Sequence, residues 1–491
     1  MRPQRFLSIS LVAASLWYVT YFIFVACLRA SFPMQLEWVE SGVLDAVVRV
    51  LTHQAVYVAP THAFVPYLYT PLYYYVAAIA CRVGGLGFEP LRWLSTACTL
   101  GCFALIFLQT RALTASRYAG LLAAGCFAAL YGASGGCYDL ARVDMLFVVL
   151  ALAAIYALWH DQALLAGLLF ACAYQSKQGA AIIAVCVLLG SWRRPRQCAT
   201  GMVTFLVATA GSALILNHIS GGWYAFYTQW LPSHQPLAPQ SLFSLFARDL
   251  GRYMLPGLLL VAWNLRRDPA RLWRSRRGNF LLAGTLGTSL TAFAGRLHSG
   301  GGANSTVPFF AWFAILFGIA VHRLVAPLAT QSRRSQFAAG LAALQFLILF
   351  TLPSRFVPSH QEREQAQQFL AQIATVPGDI YVIDAAADLA PMHKTSFANG
   401  VPVWDVIRAG DSPAARAMVA DIQQALRQRR YAALLAPNPL DGANTFAGEP
   451  PDLSLFYRLD TPPLHTGEAA RALKILQTPG IGPAYLFPAR Q

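Results

Sequence analysis

Apolar residues in this chain run in long blocks instead of alternating, and the blocks are cut by short arginine-bearing gaps. A helix crossing about 30 Å of hydrocarbon needs roughly 17–25 apolar residues. On that measure the blocks predict spans at about 7–29, 91–111, 118–134, 143–159, 162–175, 178–192, 198–217, 253–265, 279–294, 306–323 and 336–353. The block 71–86, PLYYYVAAIACRVGGL, is shorter, opens at Pro71 and carries three successive tyrosines. That pattern suits a helix lying in the membrane interface, where tyrosine prefers to sit. Past residue 353 the pattern changes. Residues 361–375 and 412–430 read as amphipathic helices, while 379–384 (DIYVID), 431–436 (YAALLA) and 455–459 (LFYRL) read as strands. Strands alternating with helices predict a small α/β domain, joined through Pro353 and Pro358. The predicted fold class is an α-helical polytopic membrane protein with about eleven transmembrane helices (residues 1–353) and a C-terminal α/β domain (residues 354–491). No internal repeat or low-complexity tract interrupts it.

Composition sharpens this picture. Of 491 residues, 56% are hydrophobic and only 12% charged, with a mean hydropathy of +0.46. Soluble chains are about a quarter charged. A soluble enzyme, a disordered chain and a nucleic-acid binder built on a basic surface are therefore excluded. The formal charge of +15 is unevenly placed. Residues 354–491 carry 13 acidic and 12 basic side chains, which leaves 9 acidic and 25 basic for residues 1–353. With the N-terminus inside and 71–86 kept in the interface, 16 of those 25 fall in short cytoplasmic connections, as the positive-inside rule requires. If 71–86 spanned, that asymmetry would collapse. The first apolar block follows Arg2 and Arg5 without a small-residue cleavage site and reads as a retained signal-anchor. The outer face then holds loops 30–90, 218–252 and 295–305 and the C-terminal domain. The nine cysteines all precede residue 199, mostly inside apolar blocks, and show neither zinc spacing nor a disulfide framework.

Most of the positive charge is thus topological, and the exceptions carry the chemistry. Seven of the nine carboxylates in residues 1–353 face outward. Glu37 and Glu40 lie three apart just beyond the first span, hence on one face if the segment is helical. Each reads as a general base, a metal ligand or a solvated cap. The minute second loop, GGCYDLARVDML, brings Asp139, Arg142 and Asp144 to the mouth of two spans. A carboxylate opening an apolar helix normally has a function or a partner, and Arg142 is also the simplest ion-pair partner for both aspartates. Lys177 is the lone lysine of residues 1–353; in the tight turn SKQG it either binds phosphate as a point charge or snorkels to headgroups. The loop AGRLHSGGG joins Arg296 and His298 to three glycines, a ligand-approaching or merely flexible turn. GGWYAFYTQWLPSH stacks Trp223 and other aromatics beside His234, as an interfacial belt or a sugar and lipid platform.

In their order and sidedness these elements resemble the GT-C type integral-membrane glycosyltransferases, specifically the bacterial relatives of protein O-mannosyltransferases and of lipid A aminoarabinose transferase. The resemblance covers roughly residues 1–325. It rests on the acidic pair Glu37 and Glu40, then AVYVAP, the TPLYYY interfacial helix, CYDLARVDML, SKQG, GGWYAFY and RLHSGGG. Loop one departs from the pattern in lacking an Asp-Glu or Asp-x-Asp doublet. The resemblance implies a multi-pass protein of the bacterial inner membrane in a GT-C arrangement, with a cytoplasmic N-terminus and an extracytoplasmic C-terminal domain. It implies inverting transfer of a sugar from a polyprenyl-phosphate donor to a lipid, glycan or protein acceptor at the outer face, with no nucleic acid involved. The implied catalytic carboxylates are Glu37, Glu40, Asp139 and Asp144, with Lys177, Arg296, Arg142 and His298 toward the donor phosphate. Tyr69, Tyr73, Trp223 and His234 are the implied substrate lining. Metal use stays open, a divalent cation (Mg or Mn) being the candidate cofactor. Two other classes compete: a transporter or flippase of an amphiphile, against which stands the gathering of charge at one surface instead of mid-span, and a non-catalytic membrane assembly protein.

Overall fold

A computed structural model describes residues 3–267, 274–325, 333–382, 389, 392, 394–436 and 485–489. Each apolar block expected to cross the membrane is helical: α1 Pro3–Ala30, α4 Phe88–Thr114, α5 Arg117–Ala129, α6 Asp144–Trp159, α7 Ala163–Ser176, α8 Ala180–Leu189, α9 Pro195–Ile219, α10 Tyr253–Arg266, α11 Arg276–Leu297, α12 Val307–Leu324 and α13 Arg333–Ile348. Among the described residues four helical segments are by themselves long and apolar enough to cross a membrane: Leu7–Ala30, Phe88–Thr114, Pro195–Ile219 and Ala303–Leu324. The first outer loop contains α2 Glu40–Leu51 and α3 Leu72–Gly84, the latter being the tyrosine-bearing block.

The helices sort by what covers them. α12 is the central rod, packed against α4, α5, α10 and α11, with Phe310, Trp312, Phe313 and Phe317 fully buried. It can sit so close because its neighbours give way. A Cβ on Gly284 would meet the Trp312 ring at 2.2 Å, the small-residue contact by which membrane helices approach one another. α9 lies at the rim and exposes Leu206, Val207, Leu214, Ile215 and Ile219, apolar side chains suited to lipid.

After residue 353 the chain forms α14 His360–Thr375, opened by a Ser359–Glu362 capping box, then β1 Ile380–Val382, α15 Gly400–Arg408, α16 Pro413–Arg427, β2 Ala433–Ala436 and β3 Tyr485–Pro488. β1 pairs parallel with β2, and β2 antiparallel with β3. The helices at 361–375 and 412–430 and the strands at 379–384 and 431–436 match α14, α16, β1 and β2 to within a few residues. α15 and β3 were not expected. The strand expected at 455–459 lies outside the described residues.

Candidate active site

Two turns bring the candidate residues together. At the end of α1 the chain reverses into α2, and a Cβ on Gly42 would lie 2.3 Å from the Tyr67 ring, so only glycine lets this tyrosine settle against α2 beside the acidic pair. Between α5 and α6, Gly135 and Gly136 take φ of 81° and 72°, left-handed backbone that glycine adopts without strain. This turn tucks Asp139 to Asp144 under the first loop.

Glu37 and Glu40 then part company. Glu40 is fully buried, and every face of its carboxylate is occupied. Arg92 of α4 donates to it twice, Nε to Oε1 at 3.0 Å and Nη2 to Oε2 at 2.7 Å. The N–H groups of Ala141 and Leu36 donate at 2.8 and 2.5 Å. Burial pushes its pKa up, but Arg92 and these hydrogen bonds outweigh burial and hold it below the usual carboxylate range. The same Arg92 donates to the carbonyls of Phe32 (2.7 Å) and Met34 (2.6 Å), collecting the unpaired oxygens where α1 ends. Glu40 and Arg92 are the clasp of the first loop.

Glu37 is open by contrast. Its Oε2 accepts from Arg142 Nη1 at 2.5 Å and from the Val39 N–H at 2.9 Å, while Oε1 has no hydrogen bond among the described residues. Burial raises its pKa, against the pull of Arg142. Arg142 continues to Asp144, Nε to Oδ2 at 3.0 Å. Asp144 opens α6, where the helix dipole favours a negative charge. Its Oδ1 accepts from Lys177 Nζ at 2.5 Å, and Asn304 donates to both oxygens at 3.2 and 3.4 Å. Lys177 directly follows α7, the cation-favouring end of a helix, with its ammonium 5.7 Å from the Tyr69 ring. Glu37, Arg142, Asp144 and Lys177 thus form one chain of alternating charge, and Glu37 and Lys177 are its two more accessible ends.

The remaining candidates are held by other partners. Asp139 is bound by Arg29 Nη1 at 2.6 Å and by the Tyr131 hydroxyl at 2.9 Å, a buried triad bracing α1 against α5. Arg296 donates to Asp249 at 2.5 Å and to the Gly301 carbonyl at 2.9 Å, with Asp249 on a π-helical turn, Ser244–Arg252. His298 joins a short bridge to Leu237. Tyr73 is sealed between α3 and α4, its hydroxyl 3.3 Å from Ser95. His234 is exposed and stacked on Trp230. Trp223 lines an apolar cavity of about 570 Å³ with Phe226, Trp230, Ala59, Pro60 and the first turn of α16.

The family model of glycosyltransferase family 87 matches residues 67–297. This stretch contains Arg142, Asp144 and Lys177 and begins after the acidic pair. No curated protein matches the chain in sequence. Among solved structures, ArnT from Cupriavidus metallidurans bound to undecaprenyl phosphate superposes with a TM-score of 0.57 at 13% identity, over 86% of this chain and 92% of that one. Its apo state gives 0.56 at 14%, over 86% and 93%. The Archaeoglobus fulgidus oligosaccharyltransferase in complex with Zn and sulfate gives 0.50 at 12%, over 87% and 67%. The fold is that of the GT-C type membrane glycosyltransferases. The resemblance read from the order of the sequence elements is thereby borne out, and in GT-C terms the charged chain lies at the junction of the first loop and the α6 entrance.

A divalent cation does not fit this cluster as arranged. Both Asp144 oxygens and one Glu37 oxygen are taken by cationic or amide donors, and among the described residues no three metal-ligating side chains converge. Sequence reasoning missed Arg29, Arg92, Asp249 and Asn304. The two arginines carried a usable signal: each is a full charge within or beside an apolar block, which demands a partner. Asn304 and Asp249 gave none, since an asparagine after a glycine run and an aspartate in a polar loop are ordinary.

Proposed function

We propose that this protein is an inverting glycosyltransferase that moves a sugar from a polyprenyl-phosphate donor to an acceptor hydroxyl at the outer face of a bacterial inner membrane. In this reading the helical blocks are eleven spans, 1–353 is the catalytic domain and 354–491 an extracytoplasmic one. The observation that carries it is the chain Glu37–Arg142–Asp144–Lys177, with a carboxylate oxygen that has no hydrogen bond among the described residues at one end and an ammonium at the other. The undecaprenyl phosphate bound by ArnT names the kind of donor carrier that such a cation would hold.

The chemistry divides along that chain. Glu37 Oε1 takes the proton of the acceptor hydroxyl as its oxygen attacks the anomeric carbon. The bond from that carbon to the phosphate oxygen breaks in the same displacement, which inverts the centre. Phosphate leaves without a proton, so no general acid is required. Lys177 and Arg142 stabilise the charge that grows on it. Glu37's raised pKa suits a base at neutral pH, whereas Glu40, ionised and fully occupied, positions the loop. Asp144 holds Arg142 and Lys177 at a fixed spacing. Arg296, His298, Trp223 and Tyr69 remain candidates for the donor groove around this centre.

Purified protein assayed against a panel of polyprenyl-phosphate sugars, with membranes of a strain lacking the gene as acceptor, tests this. Glu37→Gln should lower transfer about 10²–10⁴-fold while the protein still folds. Wild-type transfer by Glu37→Gln, Asp144→Asn and Lys177→Ala alike would remove the proposal and leave the transporter and assembly readings.

A further inference from the structure

The segment after residue 353 also reaches the site. Ala398 N–H donates to the His62 carbonyl at 3.0 Å, and the Asn399 side chain donates to Ser41 Oγ, one residue from Glu40, at 2.9 Å. Asp421 of α16 accepts from His62 Nδ1 at 2.7 Å, and Gln235 donates to the Asp405 carbonyl at 2.6 Å. These contacts hold α15 against loops 30–90 and 218–252, and they bring the Asp405 carboxyl near Tyr67 and Tyr69. Burial raises the pKa of both tyrosines, and Asp405 adds to it in each case. The Tyr67 hydroxyl also feels Glu37, and that of Tyr69 feels Lys177, Arg142 and Asp144. One pair of rings, 5.9 Å apart, therefore lies within electrostatic reach of both the charged chain and Asp405.

Among the described residues no side chain or N–H hydrogen-bonds the Asp405 carboxyl, and only exposed Arg408 on its own helix opposes the burial that pushes its pKa up to about 7. The residue is part-buried, so its carboxyl is open to a hydrogen bond from a ligand, and groups perturbed in this way cluster where chemistry uses them.

We propose that Asp405 is an acceptor-binding group, placed by the C-terminal segment beside the Tyr67–Tyr69 pair so that its carboxyl hydrogen-bonds the acceptor as it enters toward Glu37. This rests on the transferase reading above. A further carboxyl would repel a donor phosphate, so its place is on the acceptor side. With Glu37 it makes that side acidic and selects acceptors whose attacking hydroxyl stands in neutral surroundings over those bearing phosphate or carboxylate nearby.

The test uses the full chain in lipid nanodiscs, with two readouts: affinity for undecaprenyl phosphate, and sugar transfer to membranes of the strain lacking the gene. Asp405→Ala should transfer at least 10-fold more slowly, bind undecaprenyl phosphate within twofold of wild type and melt no lower. Asp405→Asn, which keeps an accepting oxygen, should recover part of the transfer. Three results overturn the proposal: wild-type transfer by Asp405→Ala, parallel loss of undecaprenyl phosphate binding, or a lowered melting temperature, which would make the residue structural. If instead wild-type protein binds undecaprenyl phosphate no better than Lys177→Ala, the donor site itself is misread and the transferase reading falls with it.

Discussion

The two ends of α6 carry the same ingredients and use them differently. Asp144 opens the helix and Asp161 follows its last turn, about 24 Å away at 1.5 Å per residue. Each aspartate meets two cations, Arg142 and Lys177 at one end, Arg194 and Arg276 at the other. Yet Asp144 is 2% exposed and Asp161 is 47% exposed. In water the pair at Asp161 is screened, and such pairs contribute about 0–1 kcal/mol. At Asp144 the same charges interact through a poorly screening interior, and each lost partner strands another. Charge counting alone cannot tell these two ends apart; burial and continuity of the network can.

The hardest way to break the buried end is to remove its clasp. Arg92→Ala leaves Glu40 ionised, buried and unpaired, and should destabilise the protein by about 3–5 kcal/mol, read as a fall in melting temperature in detergent. Because the cost comes from a stranded charge, replacing both partners by apolar residues, Arg92→Met with Glu40→Leu, should restore much of the loss. A double variant as unstable as the single one would show that Arg92's bonds to the Phe32 and Met34 carbonyls matter more than its pair with Glu40.

Next in size is the cation proposed to face the donor phosphate. Lys177→Ala removes a charge at an accessible end of the chain, so Asp144 keeps Arg142 and Asn304. Stability should fall, but by less than for Arg92→Ala, because Asp144 keeps those two partners, whereas sugar transfer should fall about 10²–10³-fold, the usual loss on deleting a charge-stabilising donor. A variant that unfolds but transfers normally per folded molecule would turn Lys177 into a structural residue.

The sequence showed this end of α6 more clearly than what supports it. Arginine sidedness, which does not depend on contacts, put Glu37, Asp144 and Lys177 on one face, and the structure joins them through Arg142. What it could not rank was Glu37 against Glu40. They differ in what donates to them, and Arg92 is 52 residues from Glu40 in sequence. Arg296 pairs with Asp249 across 47 residues, so that partner was equally invisible. Asp405 and α15 were missed for a different reason: GVPVWDVIR has the mixed pattern of a short half-buried helix, and only packing against Ser41, His62 and Gln235 gives it a place.

The smallest effect belongs to the exposed end, and it sharpens the comparison most. Asp161→Asn removes one carboxylate from between Arg194 and Arg276, and all three side chains are more than a third exposed. Arg276 keeps its hydrogen bond to the Trp159 carbonyl at 2.6 Å, so the helix end stays anchored. Stability should shift by less than about 1 kcal/mol, and the shift should vanish in high salt, because exposed charges are screened beyond a few ångströms at 1 M. Sugar transfer should match wild type. If Asp161→Asn instead impaired transfer as Lys177→Ala does, the two ends of α6 would be coupled through the helix, and burial would no longer separate the working charges from those that only set orientation.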